Sequence, residues 1–493
     1  MNGYSYIKRW PQALALFALL WFLFPAQSQA QEKFRKSPPY PDPVPQLVLP
    51  AVETGEGVNG LKILVISREN ACLFNLQVII RAGESDSPLE LPGLATVTSR
   101  LLLRGTASMS ASDIEERLDY LAVDASLEVE SDYTIFSFTF LEENLEAALS
   151  LISLFFVEPT FSPLEVSAVK REFYYELLRR NQDPENAGYS FFIKKLFSGS
   201  GYNPGVLEED AIKNISPRDV TQFHQRYLRP NNSVIVFNGN INLDKATGLT
   251  NQYFRRWVPR PVSRPSVPRL PNRDFGQVCF LDVPGNEVAI IAGNLIAPIS
   301  SPDYFSLLVL NHLLGGSTGS RLFLTLRELK GEAFYSFSEL TFFRGNGIFW
   351  VRAKTSPAAL TSAVKSILNI LSRLPAERIE AEEHERAKSY LIGNLPLQFE
   401  NAETMSRRIA LLDFLELPAD FWTRYFQNIM LVDVDSVREV ARKYLSTRPL
   451  VVIAGEATRT LDYLKDFDKI EVYNRKGQFL GVLEKGVLRY ENR

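Results

Sequence analysis

The feature that most constrains the fold of this 493-residue chain is an internal duplication. The segment ISPRDVTQFHQRYL (215–228) matches VDVDSVREVARKYL (432–445), and each is followed by a strand-like run that ends in glycine. A second pair, LLRGT (102–106) and LLGGS (313–317), matches at nearly the same spacing. Chance similarity between amphipathic helices is the alternative, and two nearly equal spacings argue against it. Repeats about 210–220 residues apart predict two copies of one fold.

Each copy mixes strand and helix patterns. Runs rich in branched residues, LKILVIS (61–67) and LFNLQVIIRAG (73–83), predict strands. Ser112 with Glu115 three residues later predicts a capping box, and Ser216 is predicted to cap the first repeat helix, as Asp433 caps its counterpart. We therefore predict an α+β fold of two homologous domains, each a mixed or antiparallel sheet packed with helices.

Two proline-rich stretches divide the chain, one before the first strands and one between the two copies. The second, WVPRPVSRPSVPRLPNRD, is the candidate interdomain linker. The predicted order is a signal peptide (1–30), an extended lead-in (31–55), a first domain (56–256), the linker (257–274) and a second domain (275–493).

The first thirty residues have the pattern of a secretory signal. Lys8 and Arg9 precede an apolar run (13–24), and small residues lead to a cleavage point after Ala30. An uncleaved anchor is the alternative. We expect an exported protein without a membrane span after cleavage, periplasmic if the host is Gram-negative. The formal net charge of −3 gives no indication of a nucleic-acid partner.

Only two cysteines occur, Cys72 and Cys279, so the fold does not depend on a disulfide framework. They fall at the first strands of different halves, and we expect two buried thiols. A long-range disulfide between them is the alternative.

One stretch, PGLATVTSRLLLRGT (92–106), has the frame of an inverted zinc-peptidase helix, H-x-x-E-H. The three functional positions hold Thr96, Ser99 and Arg100. Hydroxyl groups are poor zinc ligands, and a guanidinium stays protonated and repels a divalent cation. Serine also cannot replace the glutamate as general base. The sequence therefore predicts that this helix holds no catalytic zinc.

The chain has three histidines, and none is paired at the i, i+4 spacing of a zinc helix. His224 and His384 lie on charged helical patterns and are expected to be solvated. His312 precedes a glycine turn and is expected to be structural.

The stretch at 92–106, the segment LGGSTGSRLFLTLRELKGEAFYSFS (314–338) and the paired repeat segments resemble the pitrilysin/insulinase-type zinc metallopeptidase family over residues 61–455. Active relatives have a first motif like GLAHFLEHMLFKGT and a zinc-binding glutamate in a later helix. The resemblance places Glu176 at that glutamate, whereas the usual preceding carboxylate falls on Val169. It implies a degenerate site at which Arg100 pairs with Glu176 in place of metal; the alternative is that Glu176 simply faces solvent.

The resemblance also implies a substrate-contacting arginine and tyrosine in the second half. Arg327 is retained, but Phe334 occupies the tyrosine position, and Tyr335 follows it. Adjacent strand residues point to opposite faces, so Tyr335 replaces the hydroxyl only if a bulge re-aims it. The alternative is that Arg327 pairs with Glu328 or Glu332 while Tyr335 packs internally.

A glycine-rich loop precedes this segment and includes Gly315, Gly316 and Ser317. It lacks the Lys-Ser/Thr that a phosphate-binding loop requires. We expect instead that it lets a substrate backbone approach closely.

In the family, four such domains enclose an unfolded peptide, so a two-domain chain implies a second chain. The resemblance implies an inactive subunit with no cofactor of its own, which pairs with a zinc-bearing homologue as a heterodimer and acts on extended peptides. The alternative is a structural or peptide-binding subunit of an exported assembly. The two cysteines are too far apart in sequence to form a C-x-x-C motif.

Overall fold

The structure, a computed structural model, describes residues 48–415, 417–445 and 448–490. Within these ranges the first half contains six strands and eight α-helices. The strands are β1 (Val52–Glu56), β2 (Lys62–Ser67), β3 (Leu73–Ile80), β4 (Asp124–Val129), β5 (Thr134–Leu141) and β6 (Ser233–Gly239). The helices are α1 (Leu94–Leu102), α2 (Ala111–Tyr120), α3 (Leu145–Val157), α4 (Pro163–Arg180), α5 (Pro184–Leu196), α6 (Glu209–Asn214), α7 (Pro217–Tyr227) and α8 (Leu243–Phe254).

The second half contains eight described strands and eight described α-helices, together with a π-helical turn. The strands are β7 (Val278–Asp282), β8 (Val288–Ile296), β9 (Tyr335–Phe343), β10 (Asn346–Thr355), β11 (Leu450–Gly455), β12 (Lys469–Tyr473), β13 (Phe479–Glu484) and β14 (Val487–Tyr490). The helices are α9 (Tyr304–Gly315), α10 (Arg321–Phe323), which continues into the π-helical turn Leu324–Leu329, α11 (Leu360–Arg373), α12 (Ala381–Leu397), α13 (Ala402–Phe414), α14 (Tyr425–Leu431), α15 (Val434–Leu445) and α16 (Ala457–Thr460). None of the helices in these ranges is long and apolar enough to cross a membrane.

The topology of the two sheets confirms the duplication. The first sheet has the order β1-β2-β6-β3-β5-β4, and the second has the order β14-β13-β12-β7-β11-β8-β10-β9. In each half the first strand of the repeat runs parallel to the last one, β2 with β6 and β7 with β11, while the other strands of the repeat pair antiparallel. The prediction of an α+β fold with two homologous domains is confirmed.

One helix of each half packs on the sheet of the other half. Helix α5 belongs to the first half by sequence but packs on β8 and β11 of the second sheet. Helix α13 belongs to the second half and packs on β3 and β6 of the first sheet. An N-terminal cap starts each of them, because the side chains of Asp183 and Asn401 accept hydrogen bonds from first-turn amides.

The predicted domain boundaries need two corrections. The lead-in was predicted to reach residue 55, but β1 already begins at Val52, because its backbone completes the edge of the first sheet beside β2. Trp257, assigned to the linker, is buried in the first core, and its indole N–H donates to the carbonyl of Leu228 at 3.1 Å. The predicted signal peptide and most of the lead-in lie outside the described residues.

Helix α2 is capped by a different pair of residues from the one predicted. Ser110 is the N-cap, and its hydroxyl accepts from the amide of Asp113, whose carboxylate accepts in turn from the amide of Ser110 at 2.9 Å. Ser112 and Glu115 lie inside the helix, so that prediction was wrong by one half-turn. The predicted caps Ser216 and Asp433 are confirmed.

The two cysteines are both free. Cys279 on β7 is buried as predicted, and burial raises the pKa of its thiol to about 12. Cys72 is exposed, contrary to prediction, because it lies in the turn before β3 rather than within the strand.

The linker has no regular secondary structure, yet it is fastened at a junction of the two halves. Arg264 donates to both carboxylate oxygens of Asp86, at 3.0 and 2.7 Å, and to the carbonyl of Asp132 at 2.9 Å. The carboxylate of Asp132 accepts from the hydroxyl of Tyr202 and from the backbone amide of Arg344 in the second half. This linker junction ties both domains to the chain that connects them.

Candidate functional site

Helix α1, which carries the degenerate motif, is held at its start by a buried carboxylate. Gly93 is the N-cap in the left-handed conformation, with φ of 97°, and offers no side chain for capping. Glu84 takes over that role. Its carboxylate accepts from the amides of Thr96 at 2.8 Å and Gly93 at 3.0 Å and from the hydroxyl of Ser87 at 3.1 Å. The buried carboxyl of Glu84 thus supplies the hydrogen-bond acceptors at the start of the helix.

Two of the three motif positions face inward. The hydroxyl of Thr96 donates to the carboxylate of Glu84, and Ser99 is 1% exposed. Neither side chain is therefore available to a substrate at the surface of α1.

The third position forms the predicted ion pair. Arg100 Nη1 lies 2.8 Å from Glu176 Oε2 on α4, with the side chains 31% and 48% exposed, and the guanidinium stacks over the ring of Phe173 at 4.6 Å. One turn further along, Arg104 pairs with Glu172 at 2.6 Å. These two parallel ion pairs join α1 to α4, and the prediction that Arg100 meets Glu176 is confirmed.

The residues at this position do not fit zinc. The carboxylate of Glu176 is paired with the guanidinium of Arg100, and the buried carboxyl of Glu84 already accepts from the hydroxyl of Thr96. Val169, at the position of the usual preceding carboxylate, is buried in the first core. Within the described ranges, no group of three or more histidines, cysteines and acidic residues is arranged to hold a metal ion.

The histidines also differ from expectation. His384 is 4% exposed and His224 is largely enclosed, so the prediction that they are solvated was wrong. Burial lowers the pKa of His224 to about 4, and its ring packs edge-on against Phe161. His312 is buried and stacks on Tyr390 at 4.3 Å, in agreement with a structural role.

Arg327 lies on the π-helical turn and is accessible. Its side chain is 52% exposed, stacks over Phe323 at 5.1 Å, and lies 3.6 Å from the carboxylate of Glu328. Glu328 is thus the partner that the structural alternative named. Phe334 is also 52% exposed, just before β9. A cation and an aromatic ring are therefore presented together by this segment, because the amide of Ala333 bonds to the carbonyl of Leu326 and closes the loop between them.

Tyr335 does not replace the missing hydroxyl. It begins β9 and pairs with Lys354 of β10 in a ladder without any register shift, so no bulge re-aims it. Its hydroxyl donates to Glu185 on α5, which also binds Arg352 at 3.2 Å. Tyr335 thus fastens α5 to the second sheet, and the structural alternative for this residue is the one found.

The glycine loop serves internal packing. A Cβ on Gly315 would lie 2.2 Å from the amide nitrogen of Ser338 on β9, and one on Gly316 would lie 2.7 Å from the Cα of His312. Ser317 is half-buried, and its carbonyl accepts from the amide of Ser320. Close approach does explain the glycines, but the approaching backbone belongs to the chain itself rather than to a substrate.

Replacing Gly315 with alanine is expected to lower the free energy of unfolding by about 1–3 kcal/mol, because the new methyl group must displace the β9 backbone. Gly319 in the same loop has only one atom within 4 Å of its Cβ position, at 3.8 Å. Gly319→Ala should change the same quantity by less than about 0.5 kcal/mol. Urea unfolding of both variants measures the difference, and equal effects would contradict the packing role.

Glu84 provides a pH-dependent prediction. Burial raises the pKa of this carboxyl above its ordinary value of 4.5, while the hydrogen bonds from Thr96, Gly93 and Ser87 oppose the shift. The folded chain holds the proton of Glu84 more tightly than the unfolded chain does. The contribution of this protonation to the free energy of unfolding is therefore complete below the ordinary pKa and is lost as pH rises through the folded pKa. As pH rises above about 4.5, the ordinary pKa of this carboxyl, the free energy of unfolding should fall relative to that of Glu84→Gln until pH passes the folded pKa. Parallel pH profiles from urea unfolding would contradict this.

Comparison with known proteins supports the same family in both halves. Residues 62–199 match the model for insulinase, peptidase family M16, and residues 214–391 match that for the peptidase M16 inactive domain. The chain belongs to the M16 peptidase family. It is a two-domain member in which the inverted zinc motif lacks both histidines and the glutamate.

The similar proteins include both an uncharacterized zinc protease and a non-peptidase homolog. An uncharacterized zinc protease of Streptomyces coelicolor is 22% identical, over 80% of this chain and 88% of its own length. A non-peptidase homolog, YmxG, of Helicobacter pylori is 20% identical, over 80% and 92%. Among solved structures, a peptidase M16 inactive domain from Pseudomonas fluorescens has a TM-score of 0.76 at 20% identity and covers 82% of this M16 chain and 98% of its own. A protease from Helicobacter pylori also has a TM-score of 0.76 at 20% identity. These structures share the fold.

Proposed function

We propose that this M16 protein is a non-catalytic subunit that works with a zinc-bearing homologue on extended peptides. The observation that carries the proposal is the Arg100–Glu176 ion pair, which places a permanent cation where the family resemblance puts a metal ion. The match of residues 214–391 to the M16 inactive domain and the likeness to a non-peptidase homolog agree with it. No catalytic step is assigned to this chain.

The proposed partner carries an intact H-x-x-E-H helix and binds the zinc ion. The two chains form a heterodimer. This chain supplies the other half of a peptide chamber and contributes Arg327 and Phe334. Both side chains are about half exposed, with Arg327 on the π-helical turn and Phe334 just before β9. A guanidinium can donate to peptide carbonyl or carboxylate oxygens, and an aromatic ring can pack on an apolar side chain. Tyr335 is not part of this contribution, because Glu185 already holds its hydroxyl.

The proposed location is outside the cytoplasm, and it is the periplasm if the host is Gram-negative. The amino-terminal pattern of basic residues, apolar run and small residues supports export.

Mixing experiments test the proposal. The full chain, an M16 homologue from the same organism with an intact motif, and their mixture are assayed for cleavage of an internally quenched, extended peptide. Activity that rises at least tenfold on mixing and falls with Arg327→Ala supports the complementing subunit. Arg378→Ala is the control, because Arg378 is an 80% exposed arginine paired only with a nearby carboxylate. Its effect on the mixture should be negligible.

A structural or peptide-binding subunit is the second candidate. One observation favours it: the hydroxyl of Tyr335, the residue that follows Phe334 in sequence, joins α5 to the second sheet. This candidate predicts a stable complex with the homologue but no gain of cleavage on mixing, and no effect of Arg327→Ala.

A further inference from the structure

The two exchanged helices sit on their sheets in different ways. Helix α13 covers the rear face of the first sheet, which is the face opposite its main core. There Ile409 and Ala410 join a small apolar cluster with β-strand residues, separate from the large cores. Met405 and Phe414 of α13 pack against the same cluster while partly exposed, and the other contacts beneath the first turns of the helix are polar.

Polar side chains run across the strands under the start of α13. Asn75 on β3 lies in register with Asn238 on β6 and Thr139 on β5. The amide nitrogen of Asn238 donates to the carbonyl of Ala402 at 3.0 Å and to the hydroxyl of Ser406 at 3.1 Å. These bonds fix the helix but bury little apolar surface.

The polar contact between α13 and the first sheet leaves several buried acceptors without a hydrogen bond. The side-chain oxygens of Asn75, Gln77 and Asn238 are buried and have no hydrogen-bond partner among the described residues. A buried acceptor either carries the cost of desolvation or holds an ordered water molecule. In both cases the contact stabilises the closed arrangement less than apolar packing of the same area would.

The ion pairs at the margins of α13 are all partly exposed, including those of Arg407 with Glu128 and Glu130, whose side chains are 31%, 45% and 48% exposed. Asp413 bonds to Lys62 at 2.7 Å and to Arg81 at 2.9 Å, and all three side chains are more than a third exposed. Exposed pairs of this kind contribute weakly because solvent screens them.

Helix α5 is seated quite differently. Phe192, Ile193 and Leu196 are buried in an apolar cluster with residues of β8 and β11. At Gly188 the helix backbone comes so close that a Cβ would lie 2.6 Å from Ile291 and 3.1 Å from Ala454. Burial of large apolar side chains in such close contact is strongly stabilising.

We propose that α13 is a detachable strap. It separates from the rear face of the first sheet in a local opening that occurs without global unfolding, whereas α5 leaves the second sheet only when the protein unfolds. Local openings begin in elements with few buried apolar contacts, and α13 fits that description. The opening uncovers the rear face and releases one of the contacts between the two halves.

Native-state hydrogen exchange of the full chain tests the strap. Helices α5 and α13 each have 13 residues, which makes their protection directly comparable. At equal intrinsic rates, the amides of α13 should exchange at least tenfold faster than those of α5. Equal protection of the two helices would overturn the proposal.

A variant beneath the other helix separates local from global opening. Phe192→Ala removes buried ring atoms from the apolar cluster under α5. Because α13 opens while α5 stays in place, exchange in α5 should accelerate at least tenfold while that in α13 is unchanged. If both helices accelerate by the same factor, both exchange through global unfolding and the strap does not exist. Leu397→Ala, at a 59% exposed position on α12, is the control and should alter neither helix.

Discussion

Replacing Arg264 with alanine is expected to lower the free energy of unfolding by about 3–5 kcal/mol, because it leaves a buried carboxylate without its cation. The side chain of Asp86 is 0% exposed, and that of Arg264 is 16% exposed. Two hydrogen bonds join them, and a third reaches the carbonyl of Asp132. Urea unfolding, followed by circular dichroism, measures the loss.

A matched control lies at the other end of the same linker. Arg448 and Asp274 also form a two-pronged pair, at 2.9 and 3.1 Å, but their side chains are 75% and 48% exposed. Solvent replaces most of what Arg448→Ala removes, so its effect should be much smaller than that of Arg264→Ala. Similar losses for the two variants would contradict the linker junction as the anchor between the domains.

Replacing Glu84 with alanine is expected to lower the free energy of unfolding by about 3 kcal/mol or more at pH of about 7. The change strands buried donors at the start of α1, including the amides of Gly93 and Thr96. Gly93 cannot substitute, since it has no side chain to cap the helix. The same urea unfolding series measures this loss.

The exposed cap of α2 is the control for Glu84. Asp113 accepts from Ser110 at the surface, where its hydrogen bonds lower the pKa of the carboxyl. Asp113→Ala should destabilise far less than Glu84→Ala, because water reaches the groups that it exposes. A smaller loss for Glu84→Ala than for Asp113→Ala would show that the buried carboxylate does not hold α1.

Much of the fold follows from the sequence because the repeat fixes the topology. Two matched segments predicted two copies, and the strand orders of both sheets agree. The exchange of α5 and α13 was not predictable, since amphipathic patterns show that a helix has an apolar face but not which sheet covers it. The predictions for Cys72 and for the Ser112–Glu115 capping box were wrong by one or two residues, because turn geometry decides where each strand or helix begins.

The contacts of the candidate site were also predictable only in part from the sequence. The Arg100–Glu176 pair was predictable because the family resemblance places both residues where one ion would bridge their counterparts. Glu84 was missed, because a glutamate after a strand gives no sequence signal that it will cap a helix ten residues later. A possible signal was the absence of any capping side chain at Gly93, since a buried helix start needs acceptors from elsewhere. Only the β9–β10 register shows that Tyr335 does not replace the missing hydroxyl.

We propose that the degenerate helix of this M16 chain carries an ion pair rather than a metal ion, and zinc content tests this directly. The purified full chain is dialysed with excess zinc, freed of unbound metal and analysed by mass spectrometry beside Glu176→Gln. Both proteins should hold far less than one zinc ion per chain. About one zinc ion per native chain, lost in Glu176→Gln, would contradict the proposal.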